Sequence, residues 1–124
     1  METIPENLKY TKTHEWVKKD GELTQIGITD FAQKQLTDIV YVELPKKGAV
    51  IHTGEVLLTV ESVKSAEDVF SPVSGEIIEV NEILENKPES INEDPYGTWL
   101  VKIKSTGKQE EMMDASEYQA YTTK

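Results

Sequence analysis

The apolar residues of this chain recur at every second position, in runs too short for helices. In "ELTQIGIT", Ile26 and Ile28 alternate with Gln25, Gly27 and Thr29; in "IVYVEL", Val40, Val42 and Leu44 alternate with Tyr41 and Glu43. Successive side chains on a strand point to opposite faces, so each run offers one face to a core and one to water. Further runs are "EVLLTVES" (55–62) and "EIIEVNE" (76–82), while "TWLVKIK" sets Trp99, Val101 and Ile103 on one face. Between the first two runs, Asp30 is placed to cap a short helix through Leu36, its carboxylate accepting free amide hydrogens of the first turn. "PKKG" (45–48) reads as a turn and "NKPESINEDPYG" (86–97) as a loop. Asp114 with Glu117 forms a D-x-x-E variant of the capping box ahead of Tyr118, Ala120 and Tyr121, which predicts a C-terminal helix packed on the sheets.

At 124 residues and 37% hydrophobic content, the chain can build one domain, 1–124, with a real core, and no shift in composition marks a second. A net charge of -10 opposes the phosphate neutralisation that drives nucleic-acid binding and repels anionic membranes, so protein partners with basic surfaces are favoured. The absence of cysteine excludes disulfides, thiolate nucleophiles and cysteine-ligated zinc. "METIPENLKY" lacks the basic-then-apolar pattern of a signal peptide, and no apolar run approaches the roughly 20 residues of a membrane span. The expectation is a cytoplasmic protein.

"GEVLLTVE" from Gly54 and "GEIIEVNE" from Gly75 echo one another on either side of Lys64. Short strands entering and leaving a tight turn would set that lysine at a hairpin tip, projecting away from the body. An exposed lysine at a turn is ordinarily solubilising charge. Here Ser62, Val63, Ser65 and Ala66 are small or compact and leave the amine open to a modifying enzyme, whereas most other lysines lie in charged stretches such as "VKKD" and "PKKG".

"ESVKSAEDVFSPVSGEIIEVN", together with "HEWV", "GIT", "VELP", "KP", "IN" and "PYG", resembles the H proteins of the glycine cleavage system over nearly the whole chain. The resemblance implies lipoate in amide linkage on Lys64, with Glu61 and Gly75 in ligase recognition. It implies a flattened sandwich or barrel of short antiparallel strands, like lipoyl and biotinyl carriers, with a short helix after Asp30 and a C-terminal helix. It also implies a carrier that is not itself an enzyme. Glycine decarboxylase loads the arm with the aminomethyl group of glycine, an aminomethyltransferase passes the carbon to tetrahydrofolate, and dihydrolipoyl dehydrogenase reoxidises the dithiol. A lipoate ligase or lipoyl transferase would attach the group. Such a carrier needs no triad, phosphate loop or metal site.

By composition alone, Trp16 and Val17 of "THEWV" are core or core-edge residues and Glu15 is surface charge. The resemblance instead implies that the loaded arm folds into a cleft lined by Thr13, Glu15 and Asp68, with both carboxylates at its rim, replaceable at little cost to the fold. "PYGTW" is one residue shorter than the family's PY-x-x-G-W spacing, a difference expected at the cleft rim or a docking surface. His14 and His52 carry no recognisable metal-ligand spacing. Two other readings are a lipoyl relay, in which Lys64 passes lipoate on to 2-oxoacid dehydrogenases, and a biotin carrier. The second is disfavoured because Val63 and Ser65 stand where methionines would flank the lysine.

Overall fold

The structure, a computed structural model, describes residues 4–106 and 111–123. Among the described residues, nine strands form two antiparallel sheets. The larger has the order β1 (Lys9–Tyr10), β2 (Glu15–Asp20), β3 (Leu23–Ile28), β9 (Val101–Thr106), β8 (Ser74–Val80) and β5 (Val50–Ile51). The smaller has β4 (Ile39–Glu43), β6 (Val56–Ser62) and β7 (Ala66–Phe70). Both sheets stay open, so the sandwich half of the expectation holds and the barrel half does not. Helix α1 (Asp30–Leu36), a 3-10 turn (Glu82–Glu85), a single helical turn α2 (Ser90–Glu93) and α3 (Ala115–Thr122) complete the fold.

The core lies between the sheets. Ile26, Ile28, Ile77, Val101 and Ile103 face Val42, Leu58, Val60 and Val69, and Leu36, Leu84 and Ile91 close the edges. Fully burying one such side chain contributes about 1.5–3 kcal/mol, so the alternation within each run sets which face turns inward. A second cluster of Leu8, Tyr10, Trp16 and Tyr118 packs α3 against β1 and β2. Trp16 pairs with Gly27 across the ladder, and a Cβ at Gly27 would lie 2.3 Å from the indole, so only glycine admits the ring there.

Four expectations need correction. The N-cap of α1 is Thr29, whose hydroxyl accepts from the Ala32 amide at 3.3 Å; Asp30 is the first helical residue and instead pairs with Lys34 at 3.2 Å. Val40 is 54% exposed because a bulge between Ile39 and Tyr41 breaks the alternation of β4. Trp99 precedes β9 rather than sharing its face: its ring lies under the Lys102 ammonium and its carbonyl accepts from Asn81 at 2.7 Å. The stretch read as one loop contains α2. The capping box at Asp114 and Glu117 forms as expected, with reciprocal bonds of 2.9 and 3.0 Å.

Candidate functional site

Lys64 stands at the tip of the β6–β7 hairpin. Glu61 faces Ala66 in the last strand pair, and Ser62 shapes the turn: its hydroxyl accepts from the amides of Lys64 at 3.1 Å and Ser65 at 3.0 Å. A small hydroxyl residue is what such a turn needs. The Val63 amide donates to the Asp38 carbonyl at 3.0 Å, tying the tip to the chain after α1. The lysine does not simply project away from the body. It is exposed, but its ammonium donates to the Gln35 carbonyl at 3.0 Å, in the last turn of α1, where the helix dipole favours a cation.

Beneath it opens a cavity of about 340 Å³, bounded by the Thr13–Glu15 turn, by α1 and by β7. Thr13, Glu15, Lys64 and Asp68 all line it, so the structure gathers the expected cleft residues in one place. Ile28, Ala32, Leu36 and Val69 make its apolar wall, and Glu67 adds a second acidic residue on β7. Ala32 and Leu36 are one helical turn apart, a spacing that could have marked this face of α1 in advance.

The two expected carboxylates differ sharply. Glu15 is 1% exposed, neither at a rim nor surface charge. Its Oε1 accepts from the hydroxyls of Thr11 and Thr13, each at 2.5 Å, and its Oε2 from the Phe70 amide at 3.3 Å. The signal was in "HEWV": Glu15 lies two residues before core Val17 on one strand and pairs with Ile28, so it shares their inward face. Asp68 is exposed on the edge strand, and its carboxylate accepts from Thr59 at 3.1 Å.

His14 is a cleft wall residue that composition did not single out. It adopts φ +72°, and its Nδ1 lies 2.8 Å from the Tyr118 hydroxyl. Burial lowers its pKa from the ordinary histidine value, so the neutral ring is favoured in the fold. An unfolded chain takes up this proton near pH 6.5; stability from neutral His14 is therefore complete above that pH and lost as pH falls through the depressed folded value. Melting temperatures measured from pH 7.5 to 5 should fall more for the wild type than for His14→Asn, asparagine being the residue that best tolerates this backbone conformation. Parallel curves would remove His14 from the pH response.

Gly75 lies in β8, on the other sheet from the hairpin. At φ +155° a Cβ there would meet the Lys104 carbonyl oxygen at 2.1 Å, so close strand approach alone requires glycine. Glu61 is exposed on β6, opposite Tyr41. The "PYGTW" loop does not line the cavity; its Pro95 carbonyl accepts from the Trp16 indole at 2.9 Å. His52 is exposed beside Glu55, and among the described residues no group of three or more His, Cys, Asp or Glu is placed to hold a metal ion. No helix among them is long and apolar enough to cross a membrane.

The family profile described as "Glycine cleavage H-protein" matches residues 8–124. The chain belongs to the glycine cleavage H-protein family. That family is the lipoyl carrier of the glycine cleavage system. The "Probable glycine cleavage system H protein" of Picrophilus torridus is 58% identical to this H-protein family member over 121 residues, 98% of each chain. That of Thermoplasma acidophilum is 61% identical over 120 residues, 95% of this chain and 94% of the relative. The crystal structure of a glycine cleavage system H protein from Mycobacterium marinum superposes with a TM-score of 0.91 at 37% identity, covering 98% of this chain and all of the other. The mainly β architecture with a short helix and a C-terminal helix is thus the H-protein fold.

Proposed function

We propose that this chain is a non-catalytic, single-domain cytoplasmic carrier that takes lipoate in amide linkage on Lys64. In this reading its partners are glycine decarboxylase, the tetrahydrofolate-dependent aminomethyltransferase, dihydrolipoyl dehydrogenase, and the ligase or transferase that attaches the group. The observation that carries it is the placement of an open lysine at a hairpin tip directly over a cavity with one apolar and one acidic wall, in a chain of this family.

The residues fit the group. When attached, lipoate supplies a dithiol–disulfide couple at the end of an aliphatic tether. The hairpin holds the root, since two paired strands and the Ser62 turn fix the Lys64 backbone while its side chain remains exposed. The wall of Ile28, Ala32, Leu36 and Val69 suits an aliphatic chain, and Glu15 sets a buried acceptor where a cationic amine would be held away from water. Glu61, three residues before Lys64 and exposed, is positioned for a ligase to read, while Gly75 serves through the fold by letting β8 approach β9.

The test is exchange of labelled bicarbonate into the carboxyl group of glycine by glycine decarboxylase. Protein treated with lipoate ligase, ATP and lipoate should support exchange, and untreated protein should not. Equal exchange with both would reject Lys64 lipoylation as the basis of function.

A further inference from the structure

The two walls of the cleft come from separate stretches of chain, the Thr13–Glu15 turn and α1; the Thr29 amide joins them by donating to the His14 carbonyl at 3.0 Å, and one side-chain hydroxyl adds a second bridge. The hydroxyl of Tyr118, the buried residue of α3, lies 2.8 Å from His14 Nδ1 and 2.7 Å from Thr29 Oγ1. His14 belongs to the first wall. Thr29 is the N-cap of the second and accepts the amide of Ala32, which itself lines the cavity.

Thr29 is fully buried, and a proton path that fits both contacts runs from its hydroxyl to the Tyr118 oxygen, while Thr29 accepts the Ala32 amide hydrogen on a lone pair. In that path Tyr118 donates to His14 Nδ1, 2.8 Å away, and the imidazole proton sits on Nε2. The burial-lowered pKa of His14 agrees with a neutral ring. A non-glycine residue at φ +72° needs holding. His14 is held by backbone bonds to Thr11 at 3.1 Å and Thr29 at 3.0 Å and, at its side chain, by Tyr118.

We propose that Tyr118 is a positioning residue for the arm cleft: its hydroxyl pins the His14 turn to the N-cap of α1 and so fixes the width of the cleft from behind. The claim rests on the cleft being the resting place of the Lys64 arm. Within the tie, His14 lines the cavity, while Tyr118 and Thr29 stand behind the walls. The tie's effect reaches the arm through Glu15, adjacent to His14, and through Ala32 and Leu36 on α1.

The test compares Tyr118→Phe with Tyr10→Phe in the full chain. Tyr10 stacks on Tyr118 at 4.7 Å between ring centroids, and its hydroxyl donates to the Pro5 carbonyl, so Tyr10→Phe removes a neighbouring hydroxyl outside the tie. In the unmodified wild type, nitrogen NMR should show His14 as the Nε2-protonated tautomer; the Nδ1-protonated form would overturn the bond directions. Tyr118→Phe should release that tautomer and speed amide exchange at Ala32 by about three- to tenfold, the equilibrium weight of one ordinary hydrogen bond. Tyr10→Phe should change neither, whatever it does to the melting temperature. Wild-type tautomer and exchange in Tyr118→Phe would overturn the proposal, and so would equal changes in both variants, which would make the hydroxyl a packing group. In lipoylated protein, Tyr118→Phe should also lose retained aminomethyl carbon faster. Failure of Lys64 to accept lipoate would strike the functional reading separately, with the unmodified-protein measurements still deciding the tie.

Discussion

Lys64→Arg protein should gain no lipoyl mass when incubated with lipoate ligase, ATP and lipoate, whereas the wild type should gain one group per chain. The chain has thirteen basic residues, all lysine, so loss on changing one of them is a demanding result. Among the described residues, Lys34, Lys47 and Lys102 pair with Asp30, Glu82 and Asp20. Lys64 is the lysine at the tip of a paired hairpin, with a carbonyl rather than a carboxylate as its partner. Arginine preserves the cation and can still reach the Gln35 carbonyl, so the fold should be unaffected and the melting temperature should shift by no more than about 2 °C. The chemistry is what fails. Amide formation needs a neutral amine nucleophile, and a guanidinium stays protonated with its lone pairs delocalised. Intact mass followed by peptide mapping decides the matter: incorporation into Lys64→Arg, or mapping of the wild-type group to another lysine, would dismiss the assignment.

What could be read in advance follows the strength of local signals. The runs around Ile26 and Ile103 alternate because each buries one face, and they became β3 and β9; in β6, Leu57 and Leu58 are both buried beside a register shift between Val56 and Leu58. Strand β7 left no such trace. It is an edge strand whose Ala66, Glu67 and Asp68 are all exposed, so the strand leaving the Lys64 turn carries hardly any hydrophobic period. The echo between "GEVLLTVE" and "GEIIEVNE" is real, but it relates β6 to β8, one strand in each sheet, rather than the two arms of the hairpin. Bulges such as the one in β4 shift the alternation through backbone geometry, which side-chain pattern does not encode. The open turn at Lys64 was legible because Ser62, Ser65 and Ala66 beside it are small. The Tyr118 tie was not, since it joins residues 104 and 89 positions apart in sequence.

Glu15→Ala should destabilise the protein far more than Asp68→Ala, though both line one cavity. Alanine at position 15 leaves the Thr11 hydroxyl, the Thr13 hydroxyl and the Phe70 amide without the carboxylate they share, at a site 1% exposed. A buried donor stripped of its acceptor costs about 1–3 kcal/mol. Hydroxyls can rotate and water can enter from the cleft, so the three losses together should come to about 2–4 kcal/mol, a fall of roughly 8–15 °C in melting temperature for a chain of this size. Glu15→Gln separates charge from connectivity. A carbonyl oxygen in the Oε1 position keeps both threonines, but the amide group then points a donor at the Phe70 amide, so an intermediate loss is expected. Among the described residues Asp68 accepts from Thr59 on an exposed edge, and its removal should stay within about 0.5 kcal/mol. All three variants should still accept lipoate where folded, because neither carboxylate belongs to the hairpin turn. Equal melting temperatures for the two alanine variants would mean that the buried carboxylate is not the tie between β2 and β7 that its hydrogen bonds describe.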